Sequence, residues 1–199
     1  MKKAILVFFL TAFAMAVFAQ ETETPEEKKT GGFQKDKLFT GGDLTISFYT
    51  GGFGFGISPF FGYSPTKWLD AAVSMNFIYF GQTDIYGNKY RQTNVGPGAF
   101  VRLFPLDFIY AQVQFEHNFI TNKFIAPGGV TVSDYTADVN SLLLGLGYTS
   151  GRSKQNNTYF YFAVMFDVLQ LPNSPYVDSY GRLIPVIRAG YNIALFQGR

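Results

Sequence analysis

Six charged residues stand at alternating positions among apolar neighbours, and they are the first candidates for chemistry in this chain. Closely spaced carboxylates and guanidinium groups can support acid–base catalysis or an ion path, because each charge shifts the proton affinity of the next. Buried charges of opposite sign also form purely structural ion pairs. We interpret these residues as structural pairs in a narrow interior, with Asp167 one diagonal step from Arg188. The six are Asp43, Asp70, Arg102, Glu116, Asp167 and Arg188.

These charges lie in eight segments where apolar residues alternate with small or polar ones. Successive side chains of a strand point to opposite faces, so each segment predicts a strand with one apolar face and the charges on the other. Each is long enough to cross a bilayer, which takes about 9–11 tilted residues. The predicted strands span residues 38–49, 52–63, 68–80, 94–104, 108–120, 140–148, 158–170 and 182–196.

The composition favours a membrane barrel over a soluble domain. Aromatic residues make up 19% of the chain, with 23 Phe and 13 Tyr, which suits Phe facing lipid and Tyr at the water interface. The 21 glycines suit a narrow lumen. Because an open sheet leaves backbone groups unsatisfied in lipid, the strands should close. The predicted fold is all-β: a closed, antiparallel, up-and-down transmembrane β-barrel of eight strands.

Charge and motifs exclude several classes of function. The formal net charge is +2, and Lys2 and Lys3 fall in a predicted signal peptide, so the mature chain is near neutral and nucleic acid is not an expected partner. The absence of cysteine excludes a disulfide scaffold and thiolate metal sites. The sequence contains no phosphate-binding, serine-hydrolase or zinc-protease motif. We therefore expect no cofactor, no metal site and no catalytic residue.

The N-terminus predicts export. Lys2 and Lys3 precede an apolar run from Ala4 to Ala19, the pattern of a secretory signal peptide over residues 1–19, with an uncleaved anchor as the alternative. Residues 20–37 are charged and lack apolar periodicity, which predicts a flexible periplasmic lead-in. Residues 38–199 are the predicted barrel domain.

The connections between predicted strands differ in length. With both chain ends in the periplasm, the turns at residues 64–67, 105–107 and 149–157 face the periplasm, and the longer loops at 81–93, 121–139 and 171–181 face outward. Two of the outer loops, 81–93 and 121–139, are rich in Tyr, Asp and Asn, which suits contacts with protein or sugar. Pro59, Pro97 and Pro185 predict bulges or strand ends, because proline cannot donate to the ladder.

The end of the chain carries a recognisable pattern. Arg188, Gly190, Ile193 and Leu195, followed by Phe196, resemble the sorting signal of outer-membrane barrels. With the Phe- and Tyr-rich, glycine-alternating strands, residues 38–196 resemble the small outer-membrane β-barrel proteins of Gram-negative bacteria, in particular the barrel-domain family common in Bacteroidetes. The resemblance implies residence in the cell outer membrane, contact with its lipid, and insertion by the barrel-assembly machinery.

The leading functional hypothesis is a non-enzymatic barrel with a side-chain-filled lumen. Its outer loops would serve structural or interaction roles, alone or as an accessory subunit of an envelope complex. A narrow channel and a soluble lipocalin-type barrel are alternatives. Another is an enzyme of the lipid A deacylase or acyltransferase type, which would need a serine and a carboxylate beside His117. Glu116 points to the opposite face and Ser133 is not fixed nearby, so we interpret His117 as an interfacial anchor.

Overall fold

The computed structural model describes residues 34–49, 52–153, 157–178 and 180–196. The predicted signal peptide and most of the predicted lead-in lie outside the described residues. The last lead-in residues form a short 3-10 helix, Lys35–Lys37, and Lys37 Nζ donates a hydrogen bond of 2.9 Å to the Pro65 carbonyl. The predicted flexible segment therefore ends in an ordered turn against the barrel. None of the described helical residues forms a helix long and apolar enough to cross a membrane.

Eight antiparallel strands close into a single ring, which confirms the predicted fold class. Each strand pairs with its neighbours in the chain, and the last pairs with the first. The strands are β1 (Leu38–Tyr49), β2 (Gly52–Thr66), β3 (Leu69–Thr83), β4 (Lys89–Leu106), β5 (Ile109–Ile125), β6 (Thr131–Ser150), β7 (Tyr159–Asp167) and β8 (Val186–Ala194).

The ladders fix the tilt of the strands. When Cα partners are followed once around the ring, the path returns to β1 about ten residues further along, and this stagger in eight strands corresponds to a tilt of about 40° from the barrel axis. β1 begins and β8 ends at one end of the barrel, here called the terminal end. The opposite end, called the loop end, carries the connection between β7 and β8.

Alternation along each strand separates an apolar exterior from a polar and aromatic lumen. In β2, Phe53 and Phe55 are exposed while Gly54 and Gly56 are buried. Phe60 interrupts the glycine face, and it lies in the lumen with only 4% of its surface exposed. The pattern that predicted the strands thus also predicts which face points inward.

Inward glycines make room for large lumen side chains. A Cβ added to Gly147 would collide with the Tyr110 ring, and one added to Gly190 would collide with the Tyr161 ring. Phe39 lies in the same way against Gly62. Eight strands leave an interior just wide enough for side chains. Each of these aromatic rings therefore packs against a glycine, which has no side chain to occupy the same space.

Two of the three strand prolines interrupt the ladder without shifting its register. Pro59 lies inside β2, where pairing with β3 stops after Ile57 and resumes in the same register at Phe60. Pro97 lies inside β4, and pairing with β5 likewise pauses and resumes unshifted. The predicted bulges or strand ends at these two positions are therefore wrong. Each strand continues in register past the one backbone N–H that its proline lacks. Pro185 immediately precedes β8, as a strand end requires.

The connections at the loop end differ from the prediction. Most of residues 81–93 and 121–139 continue the β3–β4 and β5–β6 ladders, leaving only 84–88 and 126–130 as turns. We call these continued hairpins, residues 80–92 and 121–137, the raised wall. In contrast, β7 and β8 are shorter than predicted, so residues 168–185 form the longest described connection. The prediction of two long outer loops was wrong. A strand with water on both sides needs no apolar face, so it loses the alternation by which strands are recognised in a sequence.

Candidate functional site

The structure places all six predicted charged residues inside the lumen. Each has at most 5% of its surface exposed. They arise from inward positions on β1, β3, β4, β5, β7 and β8, so no single strand carries the arrangement. Charges removed from water in this way require partners, and the partners differ among the six.

Arg188 is the centre of the first group. Its Nη2 donates a hydrogen bond of 2.6 Å to Glu116 Oε1, and its Nε lies 4.0 Å from Asp43 Oδ1. Glu116 also accepts hydrogen bonds from Gln114 Nε2 at 2.8 Å and from the Tyr176 hydroxyl at 2.6 Å. One guanidinium therefore joins β8 to β5 and β1 across the lumen.

Arg102 is held by aromatic rings rather than by a direct ion pair. Its guanidinium carbon lies 4.1 Å from the centre of the Tyr161 ring and 4.4 Å from that of Phe100. Its Nη1 donates a 3.4 Å hydrogen bond to the Tyr159 hydroxyl, which donates in turn to Asp70 Oδ2 at 3.0 Å. Although Asp70 and Arg102 are Cα partners across β3 and β4, the tyrosine hydroxyl connects them.

The predicted proximity of Asp167 and Arg188 is wrong. Arg188 is the Cα partner of Ala163, four residues before Asp167 on β7, which separates the two by about 13 Å along the strand. Asp167 instead accepts hydrogen bonds from the backbone amides of Leu142 and Leu169 and from the Ser174 hydroxyl at 2.6 Å. It anchors the start of the long connection rather than balancing the arginine.

Side chains close the lumen at both ends. At the loop end, residues 168–185 fold inward and bury Ser174 and Tyr176, whose hydroxyls donate to Asp167 and Glu116. At the terminal end, Arg152 packs 3.7 Å from the centre of the Phe104 ring and donates a 2.7 Å hydrogen bond to the Lys67 carbonyl. The sequence interpretation missed Tyr176 and Arg152 because both lie outside the predicted strands, where alternation assigns no face.

His117 faces outward and is held by an amide. Its Nδ1 lies 2.8 Å from Asn140 Oδ1, and its ring packs edge-on against Phe119 at 4.7 Å. Glu116 points into the lumen. The Cα partner of Ser133 is Phe124, which lies seven residues beyond His117 on β5. An odd separation places Ser133 on the face opposite to His117. Among the described contacts of His117 there is thus no serine hydroxyl, and a nucleophile–base pair is not assembled here.

A cavity of about 900 Å³ opens at the loop end, between the raised wall and the connection 168–185. The wall contributes residues of its two hairpins, Arg91 and Lys123 among them, and the connection contributes Asn173, Pro175 and Asp178. We call this cavity the basin. Its wall residues include Tyr90, Gln92, Asn122, Phe124, Ser133 and Tyr135.

Two aspartates stiffen the turns around the basin. A hydrogen bond of 2.8 Å from the Asn88 side chain holds the pKa of Asp84 below its ordinary value. Desolvation acts to raise the pKa of Asp178, but hydrogen bonds from the Arg182 backbone and guanidinium outweigh it and lower the pKa. Both carboxylates therefore stay charged, and hold their turns, well below neutral pH.

The described residues contain no group of three His, Cys, Asp or Glu side chains that could hold a metal ion. The charged side chains of the lumen thus pair with one another, and the basin can admit a solute. In the described part of the chain, neither presents a set of ligands for a metal. The chemistry that the arrangement supports is internal ion pairing in the barrel and non-covalent binding in the basin.

No family model matches the chain, and no curated protein sequence matches it significantly. Among solved structures, Ail, the attachment invasion locus protein of Yersinia pestis, in complex with the heparin analogue sucrose octasulfate, is 11% identical, with 78% of this chain and 96% of that chain covered and a TM-score of 0.47. Neisserial surface protein A is 12% identical, with 79% and 96% covered and a TM-score of 0.41. The N-terminal β-barrel domain of Pseudomonas aeruginosa OprF is 15% identical, with 80% and 100% covered and a TM-score of 0.43.

These three are outer-membrane proteins of Gram-negative bacteria, and the outer membrane is also the location that the sequence pattern predicts for this chain. The membership predicted in a Bacteroidetes-type family is not confirmed by any of the matches. Because the similarity is low, we base the function of this chain on its own surface and interior.

Proposed function

We propose that this chain is a non-enzymatic, integral barrel of the outer membrane, closed to diffusion, whose loop end serves recognition. The single observation that carries the proposal is the combination of an apolar exterior with a lumen filled and bridged by bonded side chains. The apolar exterior supports residence in the membrane, and the filled lumen supports a barrel through which solutes do not pass. The raised wall offers an exposed surface for binding.

The exterior supports residence in lipid. Most outward positions along β5 from Ile109 to Phe119 are apolar, and Ile109, Val113, Phe115 and Phe119 are exposed, with His117 as the one polar residue in the row. These eleven residues, tilted by about 40°, rise about 25 Å, the height of the lipid-facing band of such barrels. Tyr148 and Tyr191 are exposed near the terminal end of this band, as expected of an interfacial girdle. A soluble protein rarely exposes so continuous an apolar surface.

The lumen supports a closed barrel. Eight strands leave little space, and the Arg188–Glu116 pair spans that space while Tyr176 and Arg152 cover its two ends. An ion would have to separate buried charges from their partners to pass, and that costs several kcal/mol. The channel alternative therefore has the weaker structural basis.

The proposal also names partners. Outer-membrane lipid would surround the apolar band, and the barrel-assembly machinery would read Arg188, Gly190, Ile193, Leu195 and Phe196 during biogenesis. Of these five, Gly190 lies inside the ring against Asp43 and Tyr161, whereas Ile193 and Phe196 are exposed near the terminal end. A docked envelope complex would use the loop end, because the side of the barrel faces lipid and the turns at 67–68 and 107–108 on the terminal end are short.

Conductance in planar lipid bilayers tests the closed lumen. Purified protein, with insertion verified by protection of its strands from protease, should give no steady current above the lipid background. A general porin reconstituted in the same way serves as the positive control. Discrete, reproducible conductance steps that depend on the concentration of this protein would overturn the proposal in favour of a channel.

Lipid analysis tests the non-enzymatic assignment. Cells that carry His117→Ala should have the same lipid A and phospholipid composition as cells that carry the unchanged protein, because in the described part of the chain the His117 ring bonds to the Asn140 amide and packs on Phe119 rather than on a serine hydroxyl. A change in acyl chains that follows this substitution would establish the lipid-modifying alternative.

A further inference from the structure

We propose that the basin binds a neutral oligosaccharide, an inference that rests on the proposed function and specifies its ligand. The inference comes from four side chains on the inner face of β4 and β5, which we call the aromatic–amide patch: Tyr90, Gln92, Asn122 and Phe124. Tyr90 and Phe124 are Cα partners across the two strands, and Gln92 and Asn122 are Cα partners two residues nearer the membrane band. All four line the basin.

The aromatic pair presents an apolar surface to the basin. The Tyr90 and Phe124 ring centres lie 4.9 Å apart and the planes are inclined at 49°. Tyr90 is 45% exposed, and Tyr135 on the neighbouring strand is 54% exposed. Each ring has an electron-rich face that attracts polarised C–H groups. The C–H face of a pyranose is the sugar surface that such rings accept.

The amide pair presents hydrogen-bonding groups beside the rings. Gln92 Nε2 donates a 3.0 Å hydrogen bond to Asn122 Oδ1, and this bond fixes both side chains. In the described part of the chain, the Gln92 Oε1 acceptor and the Asn122 Nδ2 donor make no further hydrogen bond. An acceptor and a donor therefore stand next to each other, the combination that paired sugar hydroxyls require.

The spacing of the two pairs matches one sugar ring. Inward positions two residues apart on a strand are separated by about 7 Å. A pyranose stacked on Tyr90 and Phe124 thus extends its hydroxyls to Gln92 and Asn122. The basin volume of about 900 Å³ leaves space for neighbouring sugar residues between the wall and Asn173 of the long connection.

The charges around the basin favour a neutral ligand. Arg91, Lys123 and Arg182 are among the residues that line the basin. Arg182 is bound to Asp178 at 2.6 Å, Lys123 lies 3.8 Å from Asp134, and Arg91 is exposed to water. Because two of these three cations are paired and exposed charges are screened, an acidic polymer gains little from this surface.

Glycan binding in a detergent without sugar groups tests the inference. The full-length protein is presented to an array of neutral glucan, mannan and N-acetylglucosamine oligomers, with dextran sulfate as an anionic probe. We expect binding to at least one neutral class, and Tyr90→Ala and Gln92→Leu should each weaken that binding at least tenfold. Raising NaCl from about 50 to 500 mM should change the affinity less than threefold, because no charge pairing is involved.

The test includes a matched control variant and a comparison of two sources of the sugar. Tyr86→Ala removes an exposed tyrosine at the tip of the β3–β4 turn, outside the basin, and should leave the affinity unchanged. Comparing soluble oligosaccharide with lipopolysaccharide vesicles distinguishes a free glycan from a lipid-borne one. Binding that both patch substitutions spare, binding only to dextran sulfate or to peptides, or no binding to any neutral sugar would overturn the inference. A closed, membrane-inserted protein without sugar binding would refute this inference and leave the proposed function standing.

Discussion

Arg188 shows how single residues are placed in this barrel. Alternation along β8 directs it inward, and this much follows from the sequence. Its partner does not follow, because side chains that meet across the lumen are brought together by the stagger of the whole ring. Asp167 is nearby in the chain, yet the ladder separates it from Arg188, whereas Glu116 on the opposite side reaches it at 2.6 Å. Inward direction was therefore predictable and pairing was not.

Replacing Glu116 with glutamine tests the worth of this pair. Glu116→Gln keeps the shape of the side chain and leaves the buried Arg188 charge with Asp43 at 4.0 Å as its remaining carboxylate among the described residues. Removing one member of a buried pair costs about 3–5 kcal/mol, and we expect a loss of about 3 kcal/mol in the free energy of unfolding, measured by denaturant titration in lipid vesicles. The control is Asp134→Asn, which breaks an ion pair whose side chains are about half exposed and should cost under about 1 kcal/mol. Equal losses for the two variants would contradict the argument.

The strands were predictable wherever lipid lies on one side and the lumen on the other. β1 begins at Leu38 and ends at Tyr49 as predicted, since its whole length alternates between the two environments. Beyond the apolar band, β3–β6 continue with water on the outside and the basin within, so polar residues occupy both faces. Periodicity then vanishes although the hydrogen-bonded ladder continues. The candidate basin was invisible in the sequence for the same reason.

Glycine substitutions test the packing between neighbouring strands. Gly147→Ala places a Cβ against the Tyr110 ring, and Tyr110 is itself packed against Phe104 and Tyr161. Overpacking of this kind costs about 1–3 kcal/mol, which the same denaturant titration would detect. Gly81→Ala is the matched control, because its nearest side-chain atom would lie at an ordinary 3.4 Å from the new Cβ. If the two substitutions are equally harmless, the glycines are not needed to fit the aromatic rings.

At the scale of the whole molecule, the two ends of the barrel are unequal. At the terminal end, two-residue turns at 67–68 and 107–108 connect the strands. At the loop end, the raised wall projects beyond the apolar band on one side, and the connection 168–185 folds down on the other. Short turns on the periplasmic side and tall structures outside are the arrangement of outer-membrane barrels.

Cysteine labelling tests this orientation, since the natural chain has no cysteine. Tyr86→Cys places a thiol at the tip of the raised wall, and Lys67→Cys places one in an exposed turn at the terminal end. In intact cells a membrane-impermeant maleimide should label the first variant, while the second should react only after the outer membrane is permeabilised. The reverse pattern would show that the barrel is inserted the other way round.

The raised wall has a consequence for how this protein can change over evolutionary time. Apart from Phe80, which is buried in the lumen core, most of its side chains are exposed or half-buried beyond the apolar band, so most substitutions there leave insertion and internal packing as they were. A mutation in the apolar band alters the contact with lipid, and a mutation in the lumen alters the internal packing. Selection by a changing environment, such as phage or host defences, can therefore alter the wall quickly while the barrel beneath it is conserved, and diversity among relatives should concentrate in residues 80–92 and 121–137.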